Sequence, residues 1–185
     1  MLGLVAVPLV LAGCAGCAGQ PAAAPVAATT AASSSDAAAQ YASATPPAAA
    51  QMVCSDDIRG RVAAALNLAS IPAPRSTWAD HVYTCTYQLP MGQLVLSVTV
   101  APSNSAARDH LETLRGQLAA TNPEPGLGEQ AYGSPAGTII AVKDNMVLSV
   151  DATHLPDDLG ATHERRIDLA RVIASGVFNC WTGNG

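Results

Sequence analysis

The stretch "VYTCTYQLPMGQLVLSVTV", residues 82–100, constrains the fold more than any other part of the chain. Tyr83, Cys85, Tyr87 and Leu89 alternate with polar residues. After Pro90-Met91-Gly92, so do Leu94, Leu96, Val98 and Val100. Side chains of a strand point alternately to its two faces, so this pattern predicts an antiparallel hairpin with one apolar and one polar face. Proline and glycine at the break supply the turn. Such a hairpin must bury its apolar face against further elements.

Those elements follow from the sequence on either side. "CSDDIRGRVAAALNLA" predicts a helix with Ser55 as N-cap and Asp56 and Asp57 in its first turn, where carboxylates suit the helix dipole. Ile58, Val62, Leu66 and Ala69 share one face, and Pro72 and Pro74 are expected to stop it. "NSAARDHLETLRGQLAA" predicts a second helix with the stripe Ala107, Leu111, Leu114 and Leu118. Short strands are expected at 129–132, 138–143 and 146–151, the last two joined by the turn Asp144-Asn145. "THERRIDLARVIASGVFNCW" predicts a final helix capped by Thr162, with Ile167, Ala170, Ile173, Ala174, Val177 and Trp181 facing inward. The order α-β-β-α-β-β-β-α has no βαβ fingerprint, so an α+β domain over residues 52–185 is expected. It would have an antiparallel sheet of about five strands and three helices, with one sheet face packed and the other partly wet.

Ahead of residue 52 the composition changes. Residues 15–51 are dominated by Ala, Pro, Ser and Thr with a single acid, a composition expected to stay disordered as a tether. Residues 1–13 are apolar and small, like the core of an export signal. Neither Lys nor Arg precedes Arg59, so basic residues upstream of Met1 are expected. "LAGC", Leu11 to Cys14, resembles the lipobox of bacterial lipoproteins, in which the signal is cut before a cysteine that then receives a diacylglyceryl group. The resemblance makes Cys14 the lipidation site. Cys14 and Cys17 also form a C-x-x-C, but no strand–turn–helix context surrounds them, so a redox or zinc role is set aside.

Four features in order resemble small actinobacterial lipoproteins of unassigned function. They are the lipobox, Cys54 opening a helix, a cysteine in the strand "CTY", and "GLGEQAY" at 126–132 leading into a later strand. The resemblance implies a membrane-anchored location rather than a chemistry. Exported chains meet oxidising conditions, so Cys54, Cys85 and Cys180 are disulfide candidates. Cys54–Cys85 is the preferred pair and Cys85–Cys180 the alternative, with the odd thiol buried.

No catalytic constellation emerges. A nucleophile elbow and a phosphate-binding loop are both missing, "PGLGEQ" reads as turn chemistry, and His163-Glu164 lacks the second histidine of a zincin. His154, Asp157, Asp158 and His163 could meet around one loop, yet solvated or capping roles suit them better. With a net charge of −5 and only 9 Lys+Arg, the chain has no basic face for nucleic acid. No catalytic residue, cofactor or metal is therefore assigned. The expected function is a non-catalytic binding or interaction module of the cell envelope, lipid-anchored on the extracytoplasmic face and meeting an unknown envelope protein or ligand. Such a module should expose an apolar patch that includes Trp78. The alternative is a carrier or sensor of a lipid or other small apolar molecule held between sheet and helices.

Overall fold

The computed structural model describes residues 27–159 and 164–183. Cys14, Cys17, Thr162 and His163 lie outside the described residues. The chain runs α1 (Ala27–Ala42), α2 (Ala48–Gln51), a 3-10 turn (Met52–Cys54), α3 (Asp56–Ala65), β1 (Arg75–Ala79), β2 (Val82–Leu89) and β3 (Gly92–Val100). It continues through α4 (Asn104–Gln117), β4 (Asn122–Pro123), β5 (Gln130–Ser134), β6 (Thr138–Lys143) and β7 (Met146–Asp151). The pair β8 (Asp158–Leu159) and β9 (Glu164–Arg165) precedes α5 (Arg166–Gly183).

The α+β class holds, but the sheet has seven strands rather than about five. Its order is β1-β2-β3-β7-β6-β5-β4, antiparallel throughout. Two meanders meet at the β3–β7 pair, where Leu96 faces Val150 and Val98 faces Leu148. The hairpin at 82–100 forms as its alternation requires, with Tyr87 opposite Leu94 and Cys85 opposite Leu96. Tyr83, Cys85, Tyr87, Leu94, Leu96 and Val98 all enter the larger core, beneath α3 and α5. There Ile58, Val62, Ile173 and Val177 are fully buried, each contributing about 1.5–3 kcal/mol by leaving water.

On the opposite face, α4 covers only the β5–β7 half. Ala107 and Leu111 pack with Tyr132, Ile140, Val142 and Val147. This is why "TIIAVK" is apolar on both sides while β2 and β3 alternate: β6 is covered twice and the hairpin once. Thr84, Thr86, Ser97 and Thr99 are left half-exposed on the open half.

Several boundaries differ from expectation. The prolines do not stop α3. Asn67 takes the left-handed conformation (φ 52°), with its N–H bonded to Ala64 O and that of Leu68 to Ala63 O, a Schellman ending that closes the helix before Leu66 and Ala69 can join it. Ser55 is the N-cap, its hydroxyl accepting from Ile58 N. The second helix ends at Gln117 rather than Ala120, which has φ 59°. Glu164 and Arg165, expected within the last helix, pair as β9 with β8.

The disordered tether is corrected over its described part. Alanine is the strongest helix former, and α1 docks on the domain instead of standing free. Ala37 is buried, Tyr41 stacks on His81 with ring centroids 3.9 Å apart, and Trp78 Nε1 donates to Ala44 O at 3.1 Å. The globular unit also begins earlier than Met52, since Ala50 is fully buried and Trp181 Nε1 donates to Ala49 O at 2.8 Å.

The 3-10 turn is fastened twice. Cys54 and Cys85 form a disulfide with Cα atoms 5.5 Å apart, and the buried Tyr87 hydroxyl donates to Val53 O at 2.6 Å. Burial pushes the Tyr87 phenol pKa upward, so it stays a neutral donor. Tyr87→Phe would leave the Val53 carbonyl unpaired and should destabilise the fold by about 1–3 kcal/mol, measured as a lower urea midpoint. Cys180 lies half-buried on α5, outside this bridge.

Candidate functional site

The segment 124–129, between β4 and β5, folds back on the end of β6. Gly126 and Gly128 have φ of 83° and 59°, values that favour glycine. Gly128 comes so close to β6 and α5 that a Cβ there would lie 2.4 Å from Val142 O and 3.0 Å from the Phe178 ring. One residue on, Glu129 N donates to Val142 O at 2.8 Å and ties the loop to the sheet.

A surface cleft of about 300 Å³ opens there, lined by Gly126, Gly128, Glu129, Lys143, Phe178 and Asn179. A groove of about 260 Å³ continues along 123–132. The Phe178 ring meets Trp181 edge-on at 5.0 Å and forms an apolar wall. The rim carries a carboxylate, an ammonium and an amide. Glu129 accepts from Arg108 Nη2 at 2.7 Å and from Asp144 N at 2.9 Å. Burial opposes its ionisation, but these two hydrogen bonds outweigh it and hold the pKa below the usual 4.5.

Beyond the groove, Tyr132 Oη accepts from Gln130 Nε2 (2.6 Å) and Arg115 Nη1 (3.0 Å) and donates to Glu112 Oε1 (3.1 Å). The Arg115 guanidinium lies 4.2 Å above the Tyr132 ring. On the other side, Arg171 grips both oxygens of Glu124 at 2.8 Å and Asp168 at 2.6 Å. The bond to Glu124 is the main reason that the Arg171 pKa is raised. These networks hold β4, β5, α4 and α5 around the cleft. The cleft thus sets an aromatic face beside a carboxylate, an ammonium and an amide, a combination that suits an amphipathic ligand.

The carboxylates also set a pH response. Asp168 lies below its usual 3.8, chiefly through the Arg165 hydrogen bond, opposed by burial and reinforced by Arg171. A carboxylate whose pKa is lower folded than unfolded stabilises the fold fully above the unfolded value, and that stability is lost as pH falls through the folded one. The urea midpoint should therefore fall as pH is lowered below about 4.5. In Arg108→Met that acid-dependent fall should be smaller, because the Glu129 contribution is reduced.

The sequence-predicted residues are mostly dispersed. Asp157 pairs with Arg166 at 2.7 Å, His154 is exposed, and among the described residues no three His, Cys, Asp or Glu side chains gather as a metal site. Trp78, expected within an exposed apolar patch, is half-buried. Val172 is the exposed large hydrophobic side chain among the described residues. Among those residues no helix is long and apolar enough to cross a membrane. The cleft itself was missed in the sequence. "GLGE" signals a turn, but Lys143 and Phe178 join it only through the sheet order. No protein-family model, curated protein or solved structure matches the chain.

Proposed function

We propose that this chain is a lipid-anchored extracytoplasmic lipoprotein, attached through Cys14. It acts as a non-catalytic binding module of the cell envelope whose ligand sits in the cleft beside Gly128. The observation that carries the reading is the cleft itself: an aromatic wall with a rim of opposite charges and an amide. The Cys54–Cys85 disulfide supports an oxidising compartment. "LAGC" supports the anchor, since the two acyl chains it would carry suffice for stable attachment. The carrier reading has less support. The layer between sheet and helices is occupied by fully buried side chains such as Leu96, Leu148 and Ile173, and the clefts lie at the surface.

Two experiments test this. Labelling with a palmitate analogue in an actinobacterial host should mark the full chain and not Cys14→Ser; equal labelling of both removes the anchor. A photo-crosslinking residue at Asn179, on the cleft rim, should give an envelope adduct absent when the same residue replaces Val172, outside the cleft. Identical patterns at the two positions would overturn the assignment of the cleft.

A further inference from the structure

A second cleft, of about 210 Å³, lies between α1 and the domain. Asp36, Ala37 and Gln40 of α1 line one side. Asn104, the first residue of α4, and Asp144, Asn145 and Met146 at the β6–β7 turn line the other. Five of these seven side chains carry oxygen. Asp36 and Gln40 are four residues apart, so they share one face of α1.

These oxygens are short of donors. Asn145 is only 3% exposed, and its amide nitrogen is committed to Ala101 O at 3.0 Å and Ala37 O at 3.4 Å. The same nitrogen's contact with Ala37 ties the amide to the α1 boundary. Gln40 Oε1 is buried with no hydrogen-bond partner. The Asp36 carboxylate has no ion pair among the described residues. Asp144 is held on Oδ2 by Lys143 Nζ at 2.8 Å, and its Oδ1 has no such partner. A buried oxygen without a donor is costly unless something else coordinates it.

We propose that this cleft binds a calcium-type divalent cation, which fastens α1 to the domain. Calcium takes about 6–8 oxygen ligands in flexible geometry and accepts carboxylate and amide oxygens together, whereas magnesium requires a near-ideal octahedron and keeps its waters. Five side-chain oxygens from three separate elements, completed by water, match the first pattern. With two carboxylates, and a lysine competing for one of them, the site belongs to the weak class found in extracellular modules.

The test is calorimetric titration of CaCl2 into the metal-free full-length chain. One saturable site is expected, with a dissociation constant of about 10⁻⁴–10⁻³ M. Asp36→Asn and Asp144→Asn should each weaken it about tenfold, since affinity follows ligand charge. Asn tolerates the left-handed backbone at 144, so the second variant keeps the turn. Lys143→Gln should tighten binding by freeing Asp144, and Asp109→Asn, on the exposed side of α4, should change nothing. No saturable heat at about 10 mM CaCl2, roughly ten times the weakest expected constant, overturns the proposal. So does undiminished affinity in Asp36→Asn, or MgCl2 binding as tightly as CaCl2.

Discussion

Replacing both bridged cysteines, Cys54→Ala with Cys85→Ala, should lower stability by roughly 3–4 kcal/mol and the melting temperature by about 10 °C. The bridge spans 31 residues of sequence, and the loop it closes holds α3, the proline-rich connection and β1. Without the cross-link the unfolded chain regains that loop's freedom, and the entropy of closing it opposes folding. Cys85 is fully buried opposite Leu96, so its truncation adds a small packing loss. The native turn should nevertheless persist, because Tyr87 Oη still donates to Val53 O and Trp181 Nε1 to Ala49 O. Urea denaturation of oxidised wild type against the double variant measures the difference. A loss below about 1 kcal/mol would mean that these hydrogen bonds, not the cross-link, hold the turn.

That pair was legible because three domain cysteines leave few pairings and because Cys85 falls on the apolar side of a clear alternation. The same alternation made β2 and β3 readable. β1 was not, since "RSTWA" lies at the sheet edge with almost every residue exposed, so burial imposes no period on it. β4, β8 and β9 are two residues each and leave no period to detect. The helix α1 was masked by its composition: Ala, Ser and Thr give no strong apolar stripe, and it docks through single contacts at Ala37 and Tyr41. The cleft was legible only in part. Two glycines marked a turn at 126–128, but what the turn lies against depends on Val142 and Phe178, placed there by a seven-strand order that local patterns do not encode.

Gly128→Ala should cost about 3 kcal/mol and abolish crosslinking at the cleft. Two effects combine. At φ 59° a side chain costs about 1–2 kcal/mol, and the added Cβ would lie 2.4 Å from Val142 O, a backbone atom. Val142 has no room to retreat, because β6 holds it between Gln130 of β5 and Val147 of β7. The Phe178 ring, 3.0 Å away on the other side, is itself pressed against Trp181. The loop must therefore lift. Glu129 N then loses Val142 O, and the Glu129 carboxylate is drawn away from Arg108 and the Asp144 amide. Gly126→Ala separates the two effects: its φ is 83°, but no atom lies within 4 Å of the added carbon, so it should show the conformational cost alone and keep the cleft. If both variants lose equal stability in urea, close approach at Gly128 is not what shapes the cleft. If Gly128→Ala alone loses the Asn179 adduct, the loop's contact with β6 and α5 is what builds the binding surface.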